Sequence, residues 1–176
     1  INYPSLLAQR LYHLKREFDP ALFNFIENSV KALAEDPKSA VKYVQGIRDR
    51  ALTLVWDYEL ENGNTIPEDA TDYWVMHPKL KSKGLIRDIR NSNWSLPNEE
   101  GRQIEVLRYL TGSDTGVNVK AKRATKDTYS LLNAINTYRN HSLHLGRGEI
   151  DFSIAAIFAG TCVELLASLQ RDKQNQ

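Results

Sequence analysis

"DPKSAVKYVQGIRDRALTLVWDYEL", residues 36–60, is the stretch on which the fold turns. Aspartate followed by proline is a helix start: Asp36 offers an N-cap oxygen, and Pro37 brings the fixed φ that suits the first helical residue. From there Val41, Val44, Arg48, Ala51 and Val55 recur at helical spacing and share one face. Nothing in the run alternates with period two, and Asn62-Gly63 is a stop signal. The stretch therefore reads as one long helix with an apolar stripe. Arg48 interrupts that stripe, either as a side chain snorkelling to water or as the buried partner of a carboxylate.

The same device occurs upstream. Asp19 and Pro20 start a helix that should bury Leu22, Phe25, Ile26 and Leu33. Before it, "YPSLLAQRLYHLKREFD" aligns Leu7, Leu11, Leu14 and Phe18, with Pro4 in the first turn. Downstream, residues 61–78 carry turn signals and two prolines and read as a loop, followed by shorter helices over 79–91 and 98–111. "TGSDTGVNVKAKRATK" is a second loop, basic at its end. A long helix over about 123–145 turns Leu131, Leu132, Ile135 and Tyr138 inward, and Gly146 and Gly148 break it. The last helix spans about 150–171, and "RDKQNQ" reads as a frayed tail. No stretch alternates like a strand. The expected fold is all-α: one domain, 1–176, of two antiparallel helical hairpins, 20–60 and 123–171, with a helical insertion at about 61–122.

Composition narrows the function. With 176 residues, 41% hydrophobic and 26% charged, the chain has the profile of a globular protein with a real core. A net charge of +1 supplies no global basic field, so nucleic-acid contact would need a local patch. Cys162 is the single cysteine, which excludes an internal disulfide and a cysteine-rich zinc site; its apolar helical setting reads as a buried structural thiol. No apolar run approaches the ~18 residues that span a bilayer. No signal peptide opens the chain. The expectation is a cytoplasmic protein without membrane contact. The chain opens on Ile1 rather than Met, which leaves room for a further domain or an antitoxin partner ahead of it. No phosphate loop, dinucleotide turn or nucleophile elbow is present. Trp56 reads as core, while Trp74 and Trp94 could be core or could stack bases. His13 and His77 have no visible role.

Chemistry concentrates in "TYRNHSLHLGRG", residues 137–148. On an ideal helix His144 lies on the face of Asn140, and Arg139 sits about 140° round the axis, within reach of a long guanidinium. The pair joins a group that titrates near neutrality to a fixed cation. Metal-free RNA cleavage needs both: proton transfer at the 2′- and 5′-oxygens, and stabilisation of charge on the phosphorane. One histidine cannot be base and acid in the same step, so a homodimer joining two copies would complete the site. A helix-end reading competes, in which Arg139 and His144 complement the macrodipole and bond the last carbonyls. His141 and His144 stand three apart, but no carboxylate pattern accompanies them, so neither metal nor cofactor is expected. Arg147, His141, Lys122, Arg123 and Lys126, with Lys120, are the candidate RNA contacts; the lysine run could equally be a solvated loop.

"RNHSLH" fits the arginine, four-to-six residues, histidine signature of the HEPN superfamily, with Asn140 as the polar residue that usually follows the arginine. The Asp36-Pro37 start, the helix carrying Arg48, and "RNHSLHLGRGEIDFSIAAIFAGTCVELLASL" resemble its abortive-infection and restriction-associated branches. Positions 61–122 do not take part in the resemblance. It implies a four-helix core with extra helices, a homodimer facing two motifs into one cleft, and metal-independent endoribonuclease activity in phage defence, toxin or RNA-processing settings. Arg139 and His144 would be the catalytic pair, Asn140 their support, and His141 a residue near the cleft. Toxins paired with a nucleotidyltransferase antitoxin carry a tyrosine two residues after the histidine; here that position is Gly146. The alternative is a non-catalytic dimerisation or RNA-binding module of a larger defence or restriction protein.

Overall fold

The structure, a computed structural model, describes residues 2–60, 65–66, 78–90, 93–112, 121–143 and 151–174; at 65–66, 78–79, 87–90, 93–94 and 140–143 it describes the backbone alone. The fold is all-α in class. Eight α-helices occur among the described residues: α1 (Tyr3–Tyr12), α2 (Pro20–Glu35), α3 (Pro37–Ala40), α4 (Val44–Glu59), α5 (Pro78–Ser82), α6 (Glu100–Thr111), α7 (Lys126–Leu143) and α8 (Phe152–Gln174). The chain divides into two compact units, 1–51 with 130–171, and 52–129 with 172–176, with the cuts falling inside α4, α7 and α8.

In the first unit the Asp-Pro starts behave differently. Asp19 caps α2 as expected, accepting from the Leu22 N–H at 2.9 Å, and also receives Arg50 of α4 at 2.6–3.0 Å. Asp36 instead takes the Ser39 hydroxyl, and the helix it opens lasts only through α3 before a 3₁₀ turn, Val41–Tyr43, leads into α4. The break leaves the stripe intact: Val41, Val44, Arg48, Ala51 and Val55 are all buried. Along α2, Phe23 and Val30 join Leu22, Ile26 and Leu33 in the core, whereas Phe25 is half-buried. Gly46 lets the Phe25 ring lie against α4, since a β-carbon there would stand 2.9 Å from it. α1 ends at Tyr12, short of the expected stripe, so Leu14 and Phe18 are only partly buried. It meets α8 through Tyr3, whose hydroxyl occupies the space beside Gly160, and through the Arg10–Glu164 pair.

Burial raises the pKa of the Asp19 carboxyl, but the Arg50 hydrogen bonds, the Leu22 N–H and the Arg50 charge together hold it below its ordinary value. A depressed folded-state pKa adds stability above the unfolded value, about 3.9, which is lost as pH falls through the folded value. Asp19→Asn keeps a capping oxygen and removes the charge. Because Arg50 is 38% exposed, the variant should be less stable by only about 1 kcal/mol at pH 6. The gap should close below about pH 4 in paired thermal melts. A gap that is constant with pH would show that the Arg50 pairing adds nothing.

The second unit holds the departures from the sequence reading. The helix expected over 79–91 stops at Ser82. Gly84 adopts a left-handed φ of 67°, and the Gly84 and Leu85 N–H groups return to the Lys81 and Leu80 carbonyls. That is a glycine-terminated helix cap. Three short strands follow or precede it: β1 (Thr65–Ile66), β2 (Arg87–Arg90) and β3 (Asn93–Ser95). They form an antiparallel sheet in the order β1-β3-β2, pairing Ile66 with Trp94 and Asp88 with Trp94. Leu80, Leu85, Ile86, Leu96, Ile104 and Leu107 are buried in this unit, as is Trp56. Gln103, on α6, donates to the Pro97 carbonyl.

Two further readings change. By length and composition α8 is long and apolar enough to cross a bilayer, although 61% of its most apolar window is buried within the protein. Its apolarity is that of a packed helix: Phe158, Cys162, Leu165, Leu166 and Leu169 are fully enclosed. Cys162 is free and buried, and burial pushes its thiol well above the usual range, as a structural role requires. The first four residues of the tail, 171–174, are helical rather than frayed, since α8 continues to Gln174 and Asp172 is 2% exposed. The expected ends at Asn62-Gly63, Gly146 and Gly148 lie outside the described residues, as do Trp74 and His77.

Candidate functional site

α7 carries the first part of the motif, and its start is held by two buried carboxylates. Glu59, the last residue of α4 and 1% exposed, accepts the consecutive backbone N–H groups of Lys122, Arg123 and Ala124 at 2.7, 2.7 and 2.8 Å. Three successive N–H groups converging on one anion form a nest. Asp172 accepts from the Thr125 N–H and hydroxyl and from the Thr128 hydroxyl. The Thr125 oxygen in turn receives the Thr128 N–H, capping α7.

This changes the reading of the basic run. Lys122 and Lys126 are exposed, but Arg123 is partly buried and turns its guanidinium to the Lys173 carbonyl in the last turn of α8, where a cation complements the helix dipole. Lys126 opens α7 and Lys122 lies four residues before it, whereas Arg139 lies in the closing turns of that helix.

Towards that closing end, Leu132 and Ile135 are buried and Tyr138 packs on Phe158 with centroids 5.3 Å apart. Burial raises the Tyr138 hydroxyl pKa, so the ring serves as a packing residue. Arg139 follows Leu132 by seven residues and Ile135 by four, on the stripe that they bury, yet it is itself exposed in the closing turns of α7. Asn140 and His141 belong to α7, with only their backbone described. His144 and Arg147 lie outside the described residues, so the Arg139–His144 geometry and a shared metal at His141 and His144 do too.

The buried arginine on the α4 stripe is resolved in favour of burial. The Arg48 side chain is 0% exposed, and among the described residues its contact across the core is an amide: Nη1 donates to Asn136 Oδ1 on α7 at 2.8 Å. Nη2 reaches Gln45 Oε1 at 3.3 Å and Asp49 at 3.6 Å. Asn136, Glu59 and Asp172 are the polar residues that sequence reasoning missed. Each acquires its meaning from a partner 44 to 88 residues away.

No family model matches the chain, and neither a curated protein nor a solved structure shows significant similarity to it.

Proposed function

We propose that the chain is a HEPN-type, metal-independent endoribonuclease that acts as a homodimer on RNA. The observation that carries this reading is the exposure of Arg139 in the closing turns of α7, on a helix whose sequence continues as the arginine–histidine signature. In the reaction the 2′-hydroxyl attacks phosphorus, its proton passing to one His144. The bond from phosphorus to the 5′-oxygen breaks, and that oxygen takes a proton from His144 of the partner subunit. The products are a 2′,3′-cyclic phosphate and a 5′-hydroxyl. Arg139 stabilises the extra charge on the phosphorane.

The dimer is supported by the start of α8, which follows the motif directly. Phe152, Ile154 and Ile157 are exposed there, Ile157 by 58%. Apolar side chains gathered on one short segment suit burial against another protein surface. The same trio favours a second reading, a non-catalytic dimerisation module.

Purified protein should cleave RNA in EDTA and sediment at twice 20.1 kDa. Arg139→Lys keeps the charge and loses the planar fork that can hold two phosphate oxygens. Cleavage should fall at least about tenfold, equivalent to about 1.4 kcal/mol in the transition state, with an unchanged melt. Equal cleavage by the lysine variant would remove Arg139 from the mechanism. A dimer inert towards RNA would favour the second reading.

A further inference from the structure

We propose that Asn136 is a phosphate-binding residue of the RNA site, held in its donating orientation by the buried Arg48. The inference rests on the endoribonuclease reading and names a contact for its substrate. A guanidinium has only donors, so whatever meets Arg48 Nη1 must be an acceptor. The Asn136 amide therefore has its oxygen turned into the core, at 2.8 Å from Nη1, and its NH2 group turned away. No described residue accepts from that NH2 group, and Asn136 is only half-buried.

Arg48 is itself fixed. It is fully enclosed, Gln45 and Asp49 contact its other end, and Gln45 is tied to both Asp49 oxygens at 3.0 and 2.9 Å. Holding one amide flip is a use that fits its geometry.

The direction matters because of what lies one turn on. Asn136 is three residues before Arg139 and four before Asn140, the two spacings that share a helix face. An amide NH2 group that donates, three residues from an exposed arginine, suits a phosphodiester oxygen. Asn136 would hold the backbone of a single-stranded RNA beside the phosphate that Arg139 engages.

Asn136→Asp tests this. Its carboxylate still accepts from Arg48, so the fold should stand, but the donors become a negative charge. Binding is read by fluorescence anisotropy with a labelled mixed-sequence single-stranded 20-mer RNA in EDTA, on the His144→Ala background where no cleavage is required. Affinity should fall at least tenfold. Asn28→Asp, the same change at an exposed position of α2, should stay within about twofold and serves as the charge control. In the His144-containing protein, Asn136→Asp should raise KM more than it lowers kcat. If Asn136→Asp melts early, Asn136→Ala replaces it, with a loss of threefold or more expected. Equal affinity in Asn136→Asp and its parent, or equal losses at 28 and 136, overturns the proposal. RNA bound and then weakened at Asn136, without cleavage by the wild type, would sink the nuclease reading and keep this contact. Cleavage by the wild type with unmoved Asn136 affinity would do the reverse.

Discussion

His144→Ala is expected to cut RNA turnover by about 10²–10⁴ while leaving RNA affinity and the melting temperature close to wild type. The size of the effect follows from the role. Without the imidazole, the 2′-hydroxyl must give its proton to water and the 5′-oxygen must leave unprotonated. Affinity is a separate matter, because it comes from cationic and amide contacts to phosphate and keeps its dependence on salt. A helix-end histidine would behave otherwise: its loss would lower the melting temperature, weaken the dimer, and reduce cleavage in proportion. Cleavage, binding and thermal unfolding measured on one preparation separate the two. Undiminished cleavage by a folded His144→Ala protein ends the enzyme reading.

Glu59→Ala should have the largest effect on stability, a loss of about 3 kcal/mol. The substitution removes one buried carboxylate and strands three backbone N–H groups at Lys122, Arg123 and Ala124. A charge-assisted hydrogen bond contributes about 1.5–3 kcal/mol, and water can reach part of this segment, so the sum falls below three full bonds. For a chain of this length the melting temperature should drop by about 6–12 °C. Glu59→Gln keeps one acceptor oxygen and should lose about half as much. If the alanine variant melted within a degree of wild type, the nest would be a consequence of the fold and not one of its supports.

What was legible in the sequence was local. The Asp19 cap and the stripe from Val41 to Val55 depend on residues three or four apart, and both stand in the structure. The helix expected over 79–91 runs through Gly84, whose left-handed φ accompanies the end of that helix in the structure. The strands were not legible, because segments of two to four residues are too short to display a period of two. Phe25 misled because an aromatic at helical spacing can pack against a glycine backbone and remain half in water. At the candidate site, the arginine–histidine spacing marks the residues, but Arg139 shares the helical stripe of the buried Leu132 and Ile135, so its exposure is not legible from the pattern. Asn136 looked like one asparagine among several on α7. Only the return of Arg48, 88 positions earlier in the chain, distinguishes it.

The carboxylate at the end of α4 has a topological consequence as well. Glu59 holds the backbone at Lys122, so the chain leaves at residue 60 and comes back to the same point at 121. Residues 60–121 are an excursion whose entry and exit are pinned by one side chain. The entropy of closing such a loop grows only with the logarithm of its length, about 0.6 kcal/mol for each doubling. An insertion at the exposed turn over 81–84 should therefore cost little, whereas removing the whole excursion would take away the unit in which Trp56 of α4 is buried. That turn is the natural place to graft a foreign domain.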